Sequence, residues 1–365
     1  MSAAAPRGGE RVVVAMSGGV DSSVAAALLA ESGADAIGVT MRLSESGSRC
    51  CSLEDADDAR RVAQRLGIRF YVANYARAFG REVIEEFADA YLSGRTPIPC
   101  VTCNKRFKFD HLLDRAKVFG ATRVATGHYA RLSHAPETGQ ARMYRGLDRD
   151  KDQSYFLFSL DQAQLRAACF PIGELSKDEV RQRARDLGLA TADKRESQEI
   201  CFVPDGDYAK VVERLHPGAS ALRGEIVDES GRVLGEHCGV HRFTVGQRHG
   251  LGISADRRLY VVSLDPRCQR VVVGEARDLD CGIARVEQVN WISGRAPGGA
   301  IRARVQVRHR HRAALAEIEP IGVDAVEVRF DEPVRAVAPG QAAVFYDATQ
   351  DREVFGGGWL AGGLP

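Results

Sequence analysis

The string Arg11-Val-Val-Val-Ala15, continuing as Met16-Ser17-Gly18-Gly19-Val20-Asp21-Ser22-Ser23 and then the alanine-rich Val24 to Ala30, constrains this chain most. A short apolar run, a glycine pair and a small-residue amphipathic stretch spell strand, tight turn and helix. The rhythm continues with a helix over Ser22 to Glu31, a strand over Ala36 to Met41, a helix over Glu54 to Leu66 and a strand over Ile68 to Ala73. Helices over Arg81 to Leu92 and Lys105 to Phe119 and a strand over Thr122 to Thr126 complete the front of the chain. Such βαβαβ alternation demands a mostly parallel sheet with helices on its faces, and ligands then sit at the carboxyl ends of the strands.

At 365 residues the chain exceeds the roughly 100–200 residues of one domain. After about Phe202 the texture changes: one short helix over Tyr208 to Leu215, then turn glycines at 224, 231, 235, 246 and 250. Strand-like runs follow, among them Tyr260 to Leu264, Arg270 to Val273 and Val326 to Phe330. The expected fold is α/β: a parallel-sheet nucleotide-binding domain over 1–205, a small central domain over 206–280 and a C-terminal β-barrel over 281–365.

A formal net charge of +1 excludes holding nucleic acid by bulk charge but leaves room for a local basic strip. No stretch approaches the roughly 20 apolar residues of a membrane span, and Met1 to Glu10 lacks the apolar segment of a secretory signal, so a cytoplasmic, membrane-free protein is expected. Nine cysteines in a chain this long point to catalysis, sulfur handling or a metal rather than to a disulfide framework.

In the front loop, glycines let backbone approach phosphate, the first N–H groups of the helix face the anion, and Ser17, Ser22 and Ser23 offer hydroxyls. Asp21 would repel phosphate but could hold Mg²⁺ bridging it. The bland reading is a serine-capped βα turn. No Gly-Lys-Ser/Thr follows, and Gly-x-Gly-x-x-Gly is absent. The string is similar to the Ser-Gly-Gly-x-Asp-Ser loop (PP-loop) of the ATP pyrophosphatase superfamily, which implies an adenine nucleotide alpha hydrolase-like fold, ATP binding and transfer of AMP to a substrate oxygen.

Cys100-Val-Thr-Cys103-Asn-Lys105 follows Gly94-Arg-Thr-Pro-Ile-Pro99, so a proline-stiffened loop presents two thiols just ahead of a helix, where a thiolate is favoured. Cys201 lies in Glu196-Ser-Gln-Glu-Ile-Cys-Phe202. Cys169, Cys238, Cys268 and Cys281 read as buried small hydrophobes. Cys50 and Cys51 receive no role.

Together with Cys50-Cys-Ser-Leu-Glu-Asp-Ala56, Thr126-Gly-His-Tyr-Ala130, Lys151-Asp-Gln-Ser-Tyr-Phe-Leu157, Thr244-Val-Gly-Gln-Arg-His-Gly-Leu-Gly252 and Pro339-Gly-Gln-Ala-Ala-Val-Phe345, these strings closely resemble the bacterial tRNA-specific 2-thiouridylases through most of the chain. The resemblance implies that Ala15, Met16, Ser17, Gly18, Gly19, Val20, Asp21 and Ser22 hold ATP, with Met41 and Gly127 near the adenosine. It makes Cys103 the nucleophile and Cys201 the persulfide carrier, and the wobble uridine of tRNA the target. His128, Lys151, Asp152, Gln153, Arg308, His309 and Gln341 would contact the tRNA, and a cysteine desulfurase or sulfur relay protein would supply persulfide. The 2-oxygen of uracil leaves poorly until esterified to AMP. Persulfide on Cys201 then attacks directly, or Cys103 releases hydrosulfide by forming a disulfide with it. RNA binding often orders loops, so Cys103 and Cys201 could stand apart without it.

Some members of that family carry aspartate at the position of Cys100, and asparagine is common at that of Ile98. A cysteine instead leaves a second route open, in which Cys100, Cys103 and Cys201 ligate a [4Fe–4S] cluster with one open iron. Two rivals stand beside thiolation: another superfamily enzyme such as an amidotransferase or synthetase, and an iron–sulfur or zinc-dependent RNA-binding module. In the rear, Ile301 to Arg312 alternates so that Arg302, Arg304, Arg308, Arg310 and Arg312 share one strand face, either a phosphate-binding strip or a solvated barrel wall.

Overall fold

The computed structural model describes residues 6, 8–44, 52–195, 200–203 and 205–364. Cys50, Cys51 and residues 196–199 of the Cys201 string therefore lie outside the described residues. The front sheet uses β1 (Arg11–Ala15), β2 (Asp35–Arg42), β3 (Arg69–Asn74) and β4 (Arg123–Ala125). A hairpin, β5 (Ala130–His134) and β6 (Ala141–Arg145), precedes the last strand, β7 (Ala168–Cys169). The order is β3-β2-β1-β4-β7, all parallel. Successive side chains of a strand point to opposite faces. Val13 accordingly packs with Ile37 and Val39 in one core, and Val12 and Val14 with Ala36 in the other. Helices Val20–Glu31, Leu53–Arg65 and Lys177–Asp186 cover the second face, and helical stretches over 76–92 and 99–118 cover the first. Phe107, Phe109 and Leu112 are wholly buried there, each worth about 1.5–3 kcal/mol of apolar burial.

The chain lays β2 and β3 on one side of β1, then crosses to β4 on the other. A crevice opens at the carboxyl edge of a parallel sheet where its order reverses in this way.

Two helices differ from their expected bounds. The helical stretch before Leu92 begins at Ala76 and takes π geometry over Gly80–Glu85. The helix expected from Lys105 begins at Pro99 and takes π geometry over Cys103–His111. Proline suits the first helical position because its fixed φ is helical and its missing N–H is unpaired there anyway. Cys100 and Cys103 thus lie within the first turns of the helix, not ahead of it.

Behind the front domain, β8 (Gly224–Asp228), β9 (Val233–His237), β10 (Tyr260–Asp265) and β11 (Arg270–Gly274) form a small sheet around Ile226, Val261, Val271 and Val273. Helix Tyr208–Leu215 ties this part to the front through a 4.2 Å stack of Tyr208 on Tyr91. Cys169 and Cys281 are buried as expected, but Cys238 and Cys268 are exposed. Both of these occupy turns, Cys238 after β9 and Cys268 between β10 and β11, where no core reaches them.

The C-terminal part is a closed six-stranded barrel of β12 (Asp280–Trp291), β13 (Ile301–Gln306), β14 (Ala314–Pro320), β15 (Val326–Arg335), β16 (Ala342–Asp347) and β17 (Glu353–Leu364). Their order is β12-β15-β14-β13-β16-β17, with β17 returning to β12. Hairpin strand β6 pairs with β17, so a segment of the front domain extends the barrel sheet. Arg145 is buried at this junction, bonded to Asp152 at 2.8 Å and Asp351 at 3.0 Å over the Tyr346 ring.

The five-arginine strand face does not form. Strand β13 ends at Gln306, whose side-chain amide donates to the carbonyls of Arg308 (3.0 Å) and His309 (2.6 Å) and closes a turn. Arg302 is paired with Asp331, and Arg308 donates to the Ala336 carbonyl at 2.5 Å.

Candidate active site

Strand β1 delivers Met16 to Gly19 to the sheet's carboxyl edge. Thr40 fixes the turn by donating its hydroxyl to the Met16 carbonyl at 2.6 Å. Gly18 has φ of +73°, and a Cβ there would stand 2.2 Å from the Asp55 carbonyl oxygen. No side chain caps the helix that follows Gly19, so its first N–H groups are available to an anion. The serines divide. Ser23 is fully buried and donates to the Gly19 carbonyl at 2.9 Å, a structural role that corrects its reading as a phosphate donor. Ser22 also donates to Gly19 (3.1 Å) and receives the Ser17 N–H (3.2 Å), leaving Ser17 exposed beside it.

Strand β4 ends beside this loop and supplies Thr126, Gly127 and His128. A Cβ on Gly127 would lie 2.6 Å from the Ser22 nitrogen, so only glycine lets the two loops close on each other. His128 is buried; its Nδ1 is 2.7 Å from the Thr126 hydroxyl and its Nε2 3.2 Å from Lys108 Nζ. Burial, aided by the Lys108 charge, pushes its pKa well below the ordinary value, so the ring is neutral near pH 7.

These elements enclose a cavity of about 380 Å³. Ala15, Met16, Ser17, Gly19, Val20, Asp21 and Ser22 line one end with Met41 and Gly127. Cys100, Cys103 and Cys201 line the wall with Asn104, Lys108 and His128, and Lys151 and Gln153 also reach it. The cysteine that stands ninety-eight positions after Cys103 is thus on the same cavity without RNA. Cys100 is exposed, and Cys103 and Cys201 are half-buried. By contrast, burial pushes the Cys169 thiol up to about 11, which keeps it protonated and inert.

Two metal expectations meet the geometry differently from the sequence. Lys177 donates to both oxygens of Asp21, at 2.7 and 2.9 Å, and Tyr129 adds a third bond at 2.8 Å. Asp21 as arranged is the counterion of a buried lysine and does not fit a Mg²⁺ ligand. Among the described residues no three His, Cys, Asp or Glu side chains are grouped to hold a metal ion, so the thiols do not fit a cluster as they stand.

The RNA-facing residues also divide. Asp152 is buried, accepting from Arg145, the Gly146 and Ser154 N–H groups and the Ser154 hydroxyl. Gln153 accepts from the Tyr129 N–H at 3.1 Å. Arg308, His309 and Gln341 do not line the cavity. His309 instead sits 4.4 Å from the Phe156 ring, and Gln341 donates to the Thr96 carbonyl at 3.0 Å, bracing the loop ahead of Cys100. Lys177 and Lys108 escaped sequence reasoning: both are isolated lysines whose partners come from distant segments or from a neutral ring.

Known proteins place this site in context. A family model described as the tRNA methyl transferase HUP domain matches residues 10–205. Models for a tRNA methyl transferase PRC-barrel domain and an aminomethyltransferase beta-barrel domain match 214–275 and 282–360. The tRNA-specific 2-thiouridylase MnmA of Solibacter usitatus is 50% identical over 96% of this chain and 98% of its own length. The chain belongs to the tRNA-specific 2-thiouridylase family. Other members are similarly near: that of Rhodospirillum rubrum is 52% identical over 97% of each chain, and that of Geobacter metallireducens 48% over 96% of each. Among solved structures, a 4-thiouridine synthetase–RNA complex with bound ATP aligns with 57% of this 2-thiouridylase-family chain and 51% of its own at 16% identity and a TM-score of 0.35.

Proposed function

We infer that this chain is an ATP-dependent tRNA-uridine 2-sulfurtransferase acting on C2 of the wobble uridine. The observation that carries the reading is the meeting of an anion-ready glycine loop and two half-buried thiols, Cys103 and Cys201, on one cavity. The family models carry methyl transfer in their descriptions, but two thiols beside a phosphate loop are what sulfur transfer after adenylation requires. Domain limits near 205 and 280 go with this reading.

The loop N–H groups and Ser17 would hold the ATP phosphates while Met41 and Gly127 flank the adenosine. The uracil 2-oxygen attacks the α-phosphorus, the bond to pyrophosphate breaks, and O2 becomes a phosphate ester. Cys201, loaded as a persulfide by a cysteine desulfurase or relay protein, gives its outer sulfur to C2. AMP leaves with O2, and Cys103 thiolate takes the inner sulfur as a disulfide, supplying the electron pair the transferred sulfur needs. An external thiol then reduces the pair. Mg²⁺ would travel with the nucleotide phosphates rather than on Asp21, and no step runs through an iron–sulfur cluster. Lys151 and Gln153 are the RNA contacts this geometry supports best, and His128, with both ring nitrogens bonded inside the protein, would act by holding Lys108 on the cavity wall. Asp152, Arg308, His309 and Gln341 would act by shaping the surface around them. No helix among the described residues is long and apolar enough to cross a membrane; a cytoplasmic setting suits the substrate.

The test is nucleoside mass analysis of unmodified tRNA incubated with the protein, ATP and a persulfide-generating desulfurase. 2-Thiouridine appears only with all three present. ATP turnover without 2-thiouridine would return the chain to the amidotransferase or synthetase reading.

A further inference from the structure

The cations around the cavity are not alike. Lys177 is neutralised by Asp21, and Lys194 by Asp55 and Asp58, at 2.6 to 2.9 Å. Lys108 is half-buried on the cavity wall and is held differently: among the described residues it has no carboxylate partner, and its one hydrogen bond is to the neutral ring of His128. Since the Lys108 ammonium must donate, His128 Nε2 accepts, and the proton on Nδ1 goes to the Thr126 hydroxyl. Thr126 is 2% exposed and follows β4 directly, so the chain Thr126–His128–Lys108 anchors the ammonium to the sheet edge beside the glycine loop. The π turn contributes as well. Residues five apart in an α-helix diverge by about 140°, whereas i→i+5 bonding brings them nearly over one another, and Cys103 and Lys108 both face the cavity.

A half-buried cation held by a neutral partner keeps two donors and a full charge for a ligand. We propose that Lys108 is a phosphate-binding residue of this site, holding either the nucleotide's α-phosphate or the RNA backbone phosphate next to the target uridine. The inference rests on the reading of the site as one for ATP and tRNA. Its neutral anchor matters: a carboxylate at His128's place would cancel the charge that the phosphate needs.

The experiment uses the full chain with Lys108→Met, Lys108→Gln and Lys108→Arg. Calorimetric titration with AMP and ATP in the absence of RNA reports the first source. Filter binding of unmodified tRNA over a salt series without nucleotide reports the second. Loss of a charge-assisted contact predicts a roughly tenfold or greater weakening in one arm, restored to within a few-fold by arginine. A fall in the tRNA arm also lowers the salt slope by about one. Unchanged affinities in both arms for a folded Lys108→Met or Lys108→Gln protein overturn the proposal. So does an equal loss in the arginine variant, which would make Lys108 a packing residue. A wild-type chain that bound neither ATP nor tRNA would instead overturn the underlying reading.

Discussion

At Gly127 the absence of a side chain is a structural requirement, because a Cβ would press on the Ser22 nitrogen at 2.6 Å. Gly127→Ala must push the β4 loop away from the phosphate loop. Overpacking of this kind costs about 1–3 kcal/mol, so we expect a lower unfolding midpoint and an ATP affinity reduced at least several-fold, read by thermal unfolding and calorimetry. Unchanged ATP binding would separate Gly127 from the nucleotide end of the cavity. The loop and the Thr126-Gly127-His128 string were legible because each is contiguous, and Met41, named only through the family resemblance, lines the same cavity. Lys177 was not: its pairing with Asp21 spans 156 positions, and nothing local to either residue announces it. Asp152 illustrates the opposite error. A charged residue in a motif reads as a contact, yet here it is consumed by Arg145 and backbone N–H groups inside the protein.

At the scale of elements, the parallel sheet was readable because apolar runs and glycine turns repeat on a fixed rhythm, whereas the crossover that sets β4 on the far side of β1 was not. Helix starts and strand ends were less so. Pro99 starts a helix that the Lys105 periodicity places later, and Gln306 ends β13 by a side-chain bond that alternation cannot reveal. A comparable device closes the β16–β17 turn. Asp347 accepts from the N–H groups of Gln350, Arg352 and Glu353 at 2.6 to 2.9 Å and from the Thr349 hydroxyl at 3.0 Å. Burial pushes its carboxyl up, but these donors outweigh it and bring the pKa from 3.8 to about 2. A carboxylate depressed in the folded state stabilises above its unfolded pKa and loses that contribution as pH falls through the folded one. The stability gap between wild type and Asp347→Asn should therefore be full above about pH 4 and shrink toward pH 2, in urea unfolding at stepped pH. A gap that stays constant with pH would contradict the ionised turn.

At the scale of the whole molecule, the barrel is joined to the catalytic end rather than merely following it. Strand β6 completes its sheet through β17, Arg145 ties Asp152 to Asp351, and Gln341 braces Thr96 ahead of the helix that carries both Cys100 and Cys103. Order along the chain made three regions visible, but this coupling depends on a hairpin inside the front domain that pairs with the last strand. The measurement that goes most directly to the account is single-turnover thiolation of tRNA bearing an unmodified wobble uridine, with ATP, Mg²⁺ and a desulfurase, comparing wild type with Cys103→Ser and Cys201→Ser. Wild type should give 2-thiouridine and stoichiometric AMP, and neither variant should give 2-thiouridine although both still bind ATP. Full thiolation by Cys201→Ser would contradict this, because the sulfur would then reach the uridine without the thiol assigned to carry it.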